Sequence, residues 1–99
     1  MGARQASRTE QRQSFVRRLN QSASVASLGR DSQDIAILCE CGRDDCETEV
    51  MLGGRAYRNI RRQGSWSVIV DGHELPEIDR VVQRRKAFTI VEMRLAEHP

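Results

Sequence analysis

Aromatic side chains are scarce in this sequence: one tryptophan, one tyrosine and two phenylalanines make up 4% of the chain. Hydrophobic residues reach only 38% of 99 residues, and a chain of this length buries only about 60–70% of the surface its unfolded form exposes. The apolar core is therefore thin, and something besides it is needed to hold the fold. Long apolar runs are missing too. Nothing approaches the roughly 20 apolar residues of a membrane span, and the arginine-dotted start lacks the apolar centre of a signal peptide. These absences lead to the expectation of a soluble, cytoplasmic protein with no membrane association. Lysine occurs once, at Lys86, so nearly all the positive charge is arginine. No G-x-S-x-G, phosphate loop or dinucleotide fingerprint occurs, which removes support for a nucleophilic or nucleotide-driven enzyme. The cysteines number three. An odd count in a small chain without a secretory signal argues against a disulfide framework and for thiols or a metal.

What is present is unevenly distributed. The net charge is only +2. Residues 1–30 nevertheless carry six arginines against the single Glu10, while residues 31–60 carry seven carboxylates against three arginines. Ser7 and Glu10 form an S-x-x-E capping box, after which Phe15, Val16, Leu19, Ala23 and Ala26 recur at helical spacing. With Gly29 as a stop beyond Leu28, the pattern predicts a helix over about 8–28 whose apolar stripe faces the core. Residues 1–7 read as a flexible tail and 8–99 as a single domain.

From Asp34 the period changes to two, with Ile35, Ile37 and Cys39 on one face, and a second alternating run follows Cys46 through Thr48, Val50 and Leu52. Together they predict a hairpin. Tyr57 and Ile60 give a short helix ending near Gln63, and Trp66–Val70 a further strand. Pro76, with Glu77 and Asp79 in the first turn, predicts a third, short helix anchored by Val81 and Val82. A β-prone run over Ala87–Met93 closes the pattern. The expected fold is α+β: an amino-terminal helix and a small, mostly antiparallel sheet of about four strands, with two short helices packed on it.

The run Cys39-Glu40-Cys41-Gly42-Arg43-Asp44-Asp45-Cys46 has the form CxCxxxxC. Zinc takes four ligands in a tetrahedron, and a tight turn with Gly42 at its bend brings such closely spaced sulfurs onto one ion. The best fourth donor is His73, in a glycine-preceded turn after a strand; a lone turn histidine is more often merely solvated, but the site lacks a ligand. His98 is a poorer choice, being next to last in the chain. The prediction is a structural Cys3His zinc site at Cys39, Cys41, Cys46 and His73. Thiols packed as small hydrophobes fit only Cys39, because the surrounding segment is strongly charged. Thiol redox chemistry would be expected to show CxxC.

The cysteine run is similar to the post-SET zinc motif of histone lysine methyltransferases, in which three such cysteines take a fourth ligand from elsewhere in the fold. That likeness covers eight residues and implies local metal geometry, not methyl transfer. Most of the chain resembles a group of small uncharacterised actinobacterial proteins. The likeness rests on the polar first helix, the C-E-C run with a third cysteine, the helix around Tyr57, and the segment Asp71-Gly72-His73-Glu74-Leu75-Pro76-Glu77. The run Arg80-Val81-Val82 before a final strand completes it. Asp71 replaces the group's usual proline, and Gly53 its usual threonine at the start of the middle helix. The resemblance implies fold and site rather than role.

Three functions are compatible with such a site. A non-enzymatic zinc module presenting a basic, amphipathic helix to a protein partner accounts for most of the sequence. A nucleic-acid-binding regulator would use the arginines of the first helix with Arg55, Arg58, Arg61 and Arg62. A zinc hydrolase would need an open coordination position and a base, for which Glu74 is the candidate, yet the zinc-deaminase signature is absent.

Overall fold

The computed structural model describes residues 8–26, 33–76 and 78–93. Within them the chain runs α1 (Arg8–Ala26), β1 (Asp34–Leu38), β2 (Glu49–Gly53), α2 (Gly54–Arg61), β3 (Trp66–Ile69), β4 (Asp79–Arg84) and β5 (Thr89–Met93). This is an α+β fold. The strands form two antiparallel sheets rather than one sheet of about four: a β1-β2 hairpin and a three-stranded sheet in the order β3-β5-β4. Ile37 pairs with Val50 and Ile35 with Leu52, so the alternation seen in the sequence places one apolar face inward. Both sheets contribute to one core, in which Ile37, Val50 and Leu52 join Tyr57, Val68, Ile90 and Val91, and all three cysteines lie inside it.

Glu40 ties the two sheets by a pair of hydrogen bonds. The Glu40 N–H donates to Val68 O at 2.8 Å, and its carboxylate Oε1 accepts from Val68 N–H at 2.9 Å. These two bonds tie the loop after β1 to β3 without extending either ladder.

α1 is a helix where the sequence predicts one, but of its expected inward stripe only Val16 is buried, and Phe15, Leu19, Ala23 and Ala26 are exposed. Its other buried residues are Gln13, Asn20 and Ser24. The physical reason is that its seat is made of backbone carbonyls and a carboxylate, which polar side chains satisfy and apolar ones cannot. Asn20 Nδ2 donates to Leu38 O and to Glu40 Oε2, each at 2.8 Å, and Asn20 Oδ1 accepts from Leu38 N–H at 2.9 Å. The Ser7 half of the capping box, the Leu28–Gly29 stop and the 1–7 tail lie outside the described residues.

The short helix expected from Pro76 is instead a single turn leading into β4. Ile78 and Asp79 N–H both donate to Leu75 O, and Asp79 Oδ2 accepts from Leu75 N–H at 2.9 Å. Beyond it, Val81 pairs with Val91, and a bulge between Val81 and Gln83 shifts the register. The β-branched pair Val81-Val82 thus follows the strand preference of its type once β5 offers a ladder. Glu77 lies outside the described residues. Trp66, at the start of β3, is half-buried at the edge of the core.

Candidate metal centre

An extended backbone sends alternate side chains to opposite sides, and Cys39-Glu40-Cys41 continues β1 in that form: Cys39 N–H donates to Thr48 O at 2.8 Å, one step beyond the hairpin ladder. Cys39 and Cys41 therefore share one side, and Glu40 takes the other. The chain then reverses. Gly42 has φ of 85°, the left-handed region that favours glycine, and Cys46 N–H closes the following turn on Arg43 O at 3.2 Å. Cys46 comes back against the first two sulfurs.

His73 arrives from the other sheet. After β3 the chain turns at Val70-Asp71-Gly72-His73, with His73 N–H donating to Val70 O at 3.0 Å and Gly72 at φ of 91°. The turn is held from outside by Arg84 of β4, which pairs with Asp71 and, at 2.9 Å, with Glu74 Oε2. Glu74 Oε1 accepts from Gly72 N–H at 3.1 Å, and Thr89 Oγ1 donates to Asp71 at 3.0 Å. Asp71 and Glu74 thus bracket the histidine, and Arg84 binds both brackets.

The four predicted residues converge. One ligand atom from each of Cys39, Cys41, Cys46 and His73 lies within 4.8 Å of every other. His73 Nδ1 is 3.6 Å from Cys39 Sγ and 3.6 Å from Cys46 Sγ. A tetrahedral zinc with Zn–S of about 2.3 Å and Zn–N of about 2.05 Å would separate sulfur from nitrogen by about 3.6 Å. All three thiols are free and buried, so the expectation that only Cys39 suits an interior position is corrected. A hydrogen bond from the Cys39 thiol pulls Cys41 well below the ordinary thiol range, and the same bond, with burial, pushes Cys39 up. Val70 N–H also donates to Cys39 Sγ at 3.2 Å, the kind of contact that steadies a sulfur ligand.

Two neighbours of the site escaped the sequence. Glu40 is fully buried and accepts from Tyr57 Oη at 2.5 Å, Asn20 Nδ2, Val68 N–H and Arg61 Nη1 at 3.4 Å. Burial, then the adjacent carboxylate, holds the Tyr57 hydroxyl protonated well above its usual range. The second is the amino-terminal half of α1, which lies on the cysteine loop. Gln13 Nε2 donates to Cys41 O at 3.5 Å and Arg12 Nη2 to Cys46 O at 3.4 Å. The alternation within C-E-C was the available signal for Glu40; the polar spacing of Gln13, Asn20 and Ser24 was the signal for α1. His98 lies outside the described residues.

No family model, curated protein or solved structure matches the chain. Among the described residues no helix is long and apolar enough to cross a membrane.

Proposed function

We propose that this chain is a small, non-enzymatic zinc domain in which Cys39, Cys41, Cys46 and His73 hold one structural ion, and that it serves as a protein-interaction or regulatory module. The observation that carries this reading is the position of His73 Nδ1, at 3.6 Å from both Cys39 Sγ and Cys46 Sγ, on a loop that no local sequence constraint brings there. Four protein donors complete a tetrahedron, which is the pattern of structural rather than catalytic zinc. Thiolates with an imidazole suit iron as well as zinc, and the reading takes zinc for the closed tetrahedron of four protein ligands. The thin interior supplies the reason for the metal: apparent zinc binding of about 10–16 kcal/mol is comparable with the whole stability of about 5–15 kcal/mol of an ordinary domain.

A nucleic-acid regulator is the second reading, and the arginines it would use have internal commitments. Arg61 pairs with Glu40 and donates to Trp66 O, Arg17 Nη1 donates to Gly64 O at 3.3 Å, and Arg58 Nη1 to Ser24 O at 2.9 Å. For a hydrolase, the carboxylate of Glu74 is engaged by Arg84 and Gly72.

Thermal unfolding of the reduced chain with and without chelator tests the metal's role. The proposal expects the cooperative transition to disappear on chelation and to return with added zinc. An unchanged transition contradicts it.

A further inference from the structure

Of the apolar stripe that the sequence assigned to α1, Val16 is buried, while Phe15 and Leu19 lie on the outer side, where Val25 also stands. Among the described residues four large hydrophobics are exposed, and three of them, Phe15 at 46%, Leu19 at 45% and Val25 at 57%, belong to this one helix. At 100° per residue Phe15 and Leu19 lie on one flank of the outward half and Val25 on the other, with Arg18 and Ser22 between them. Two adjoining grooves run along the latter flank. One, of about 490 Å³, is lined by Arg18, Gln21, Ser22 and Val25. The other, of about 300 Å³, lies between α1 and α2 and adds Arg58, Arg61 and Arg62. Gln21 and Val25 are common to both, so the surface is continuous.

No aspartate or glutamate is among the described residues that line either groove. The outer face therefore carries Phe15 and Leu19 on one side and Val25 on the other, with Arg18 between them and Arg62 across the α1-α2 groove, both arginines exposed. Isolated apolar side chains on a surface need no explanation, but here three share the outer half of one helix, and Val25 among them lines both grooves. The charge decides the occupant of this face. A second copy docked through the same face would bring one cationic groove without carboxylates against another, a like-charge arrangement that disfavours self-pairing. A phosphate backbone would answer the arginines and leave Leu19 and Val25 covered to no gain.

We propose that the outer face of α1, with the α1-α2 groove, docks an acidic amphipathic helix of a partner protein, whose apolar side rests on Phe15, Leu19 and Val25 and whose carboxylates meet Arg18 and Arg62. Helix-on-groove recognition uses this division of labour: apolar anchors provide affinity, and flanking charge provides orientation and rate. This names the partner chemistry for the interaction module proposed above and rests on that reading.

The test uses the full zinc-loaded chain and a fluorescent synthetic helix with leucines at i, i+4 and i+7 and glutamates on its flanks, followed by anisotropy. Saturable binding in the micromolar range is expected, and it should weaken as salt rises. Leu19→Ser and Arg62→Glu should each weaken it by about tenfold, the loss typical of removing one anchor or one facing charge. Met51→Ser, at an exposed position on β2, should leave it unchanged. The same peptide with lysine in place of glutamate should not bind. Absence of saturable binding to the acidic helix overturns the proposal, as does equal affinity for Leu19→Ser and the parent chain. Binding of duplex DNA that is indifferent to Leu19→Ser, in place of peptide binding, overturns it in favour of nucleic acid. Zinc is assayed in every sample: a metal-free parent chain that binds the peptide with these dependences would sink the zinc reading alone.

Discussion

The contact between α1 and the cysteine loop passes through a glycine, and replacing that glycine measures it. A Cβ built at Gly42 would lie 2.7 Å from Thr9 Cγ2, 2.8 Å from Gln13 Cγ and 2.9 Å from Thr9 O, all on α1. The last of these is backbone, so the helix itself must move. Two costs combine in Gly42→Ala: about 1–2 kcal/mol for an L side chain in the left-handed region and about 1–3 kcal/mol for overpacking a close approach. Gly72 separates them, because it has a similar φ of 91° with nothing within 4 Å of the added Cβ. Gly72→Ala should therefore lose only the backbone part, about 1–2 kcal/mol. Gly64, with open space and no left-handed φ, should tolerate alanine to within about 0.5 kcal/mol. Urea unfolding of the zinc-loaded chain followed by circular dichroism gives all three values. The order expected is Gly42→Ala worst, at about 3 kcal/mol or more, which is about 12–24 °C in Tm for a domain of this size. Equal losses at positions 42 and 72 would refute the reasoning, since α1 would then not rest on the loop.

Glu40→Gln keeps the size of the side chain but turns an amide NH2 toward donors that need an acceptor; we expect about 2–4 kcal/mol of lost stability, and an unchanged denaturation midpoint would count against the Glu40 junction. Arg84→Ala removes the clamp on both residues flanking His73. It should lower zinc affinity by about tenfold or more while the folded chain still binds metal, read by competition with a colorimetric chelator; unaltered affinity would show that the turn positions His73 unaided. Glu92 has its pKa lowered, first by the hydrogen bond from Arg80. Its contribution to stability is thus present above the ordinary glutamate pKa, near about 4.3, and is lost as pH falls through the lower folded value. Arg80→Ala should move the Glu92 carboxyl upward in an NMR titration, and a midpoint that stays in place would contradict the pairing.

How much of this was legible in the sequence varies with the kind of interaction. Cys39, Cys41, Cys46 and His73 could be picked out because ligand chemistry restricts the residue types and because hairpin alternation plus Gly42 set the sulfurs on one side. The β1-β2 pairing was legible for the same reason. The seat of α1 was hidden because amphipathic patterns are sought in apolar residues, and here Gln13 and Asn20 reach carbonyls beneath the helix and Ser24 is buried on its own Gln21 O, while Phe15 and Leu19 face out. β4 was hidden behind Pro76 and Asp79, which resemble a helix start, and its pairing with β5 is non-local. The junction between the two sheets runs through Glu40 and Val68, 28 residues apart, and nothing in the local pattern of either segment announces that contact.

The central claim is that Cys39, Cys41, Cys46 and His73 share one ion. X-ray absorption at the zinc edge of the purified, reduced chain reads that shell directly. The account predicts one zinc per chain with three sulfurs at about 2.3 Å and one nitrogen at about 2.0–2.1 Å. A metal-free chain that still folds cooperatively, or a zinc whose shell has fewer sulfurs or lacks the imidazole nitrogen, would contradict it.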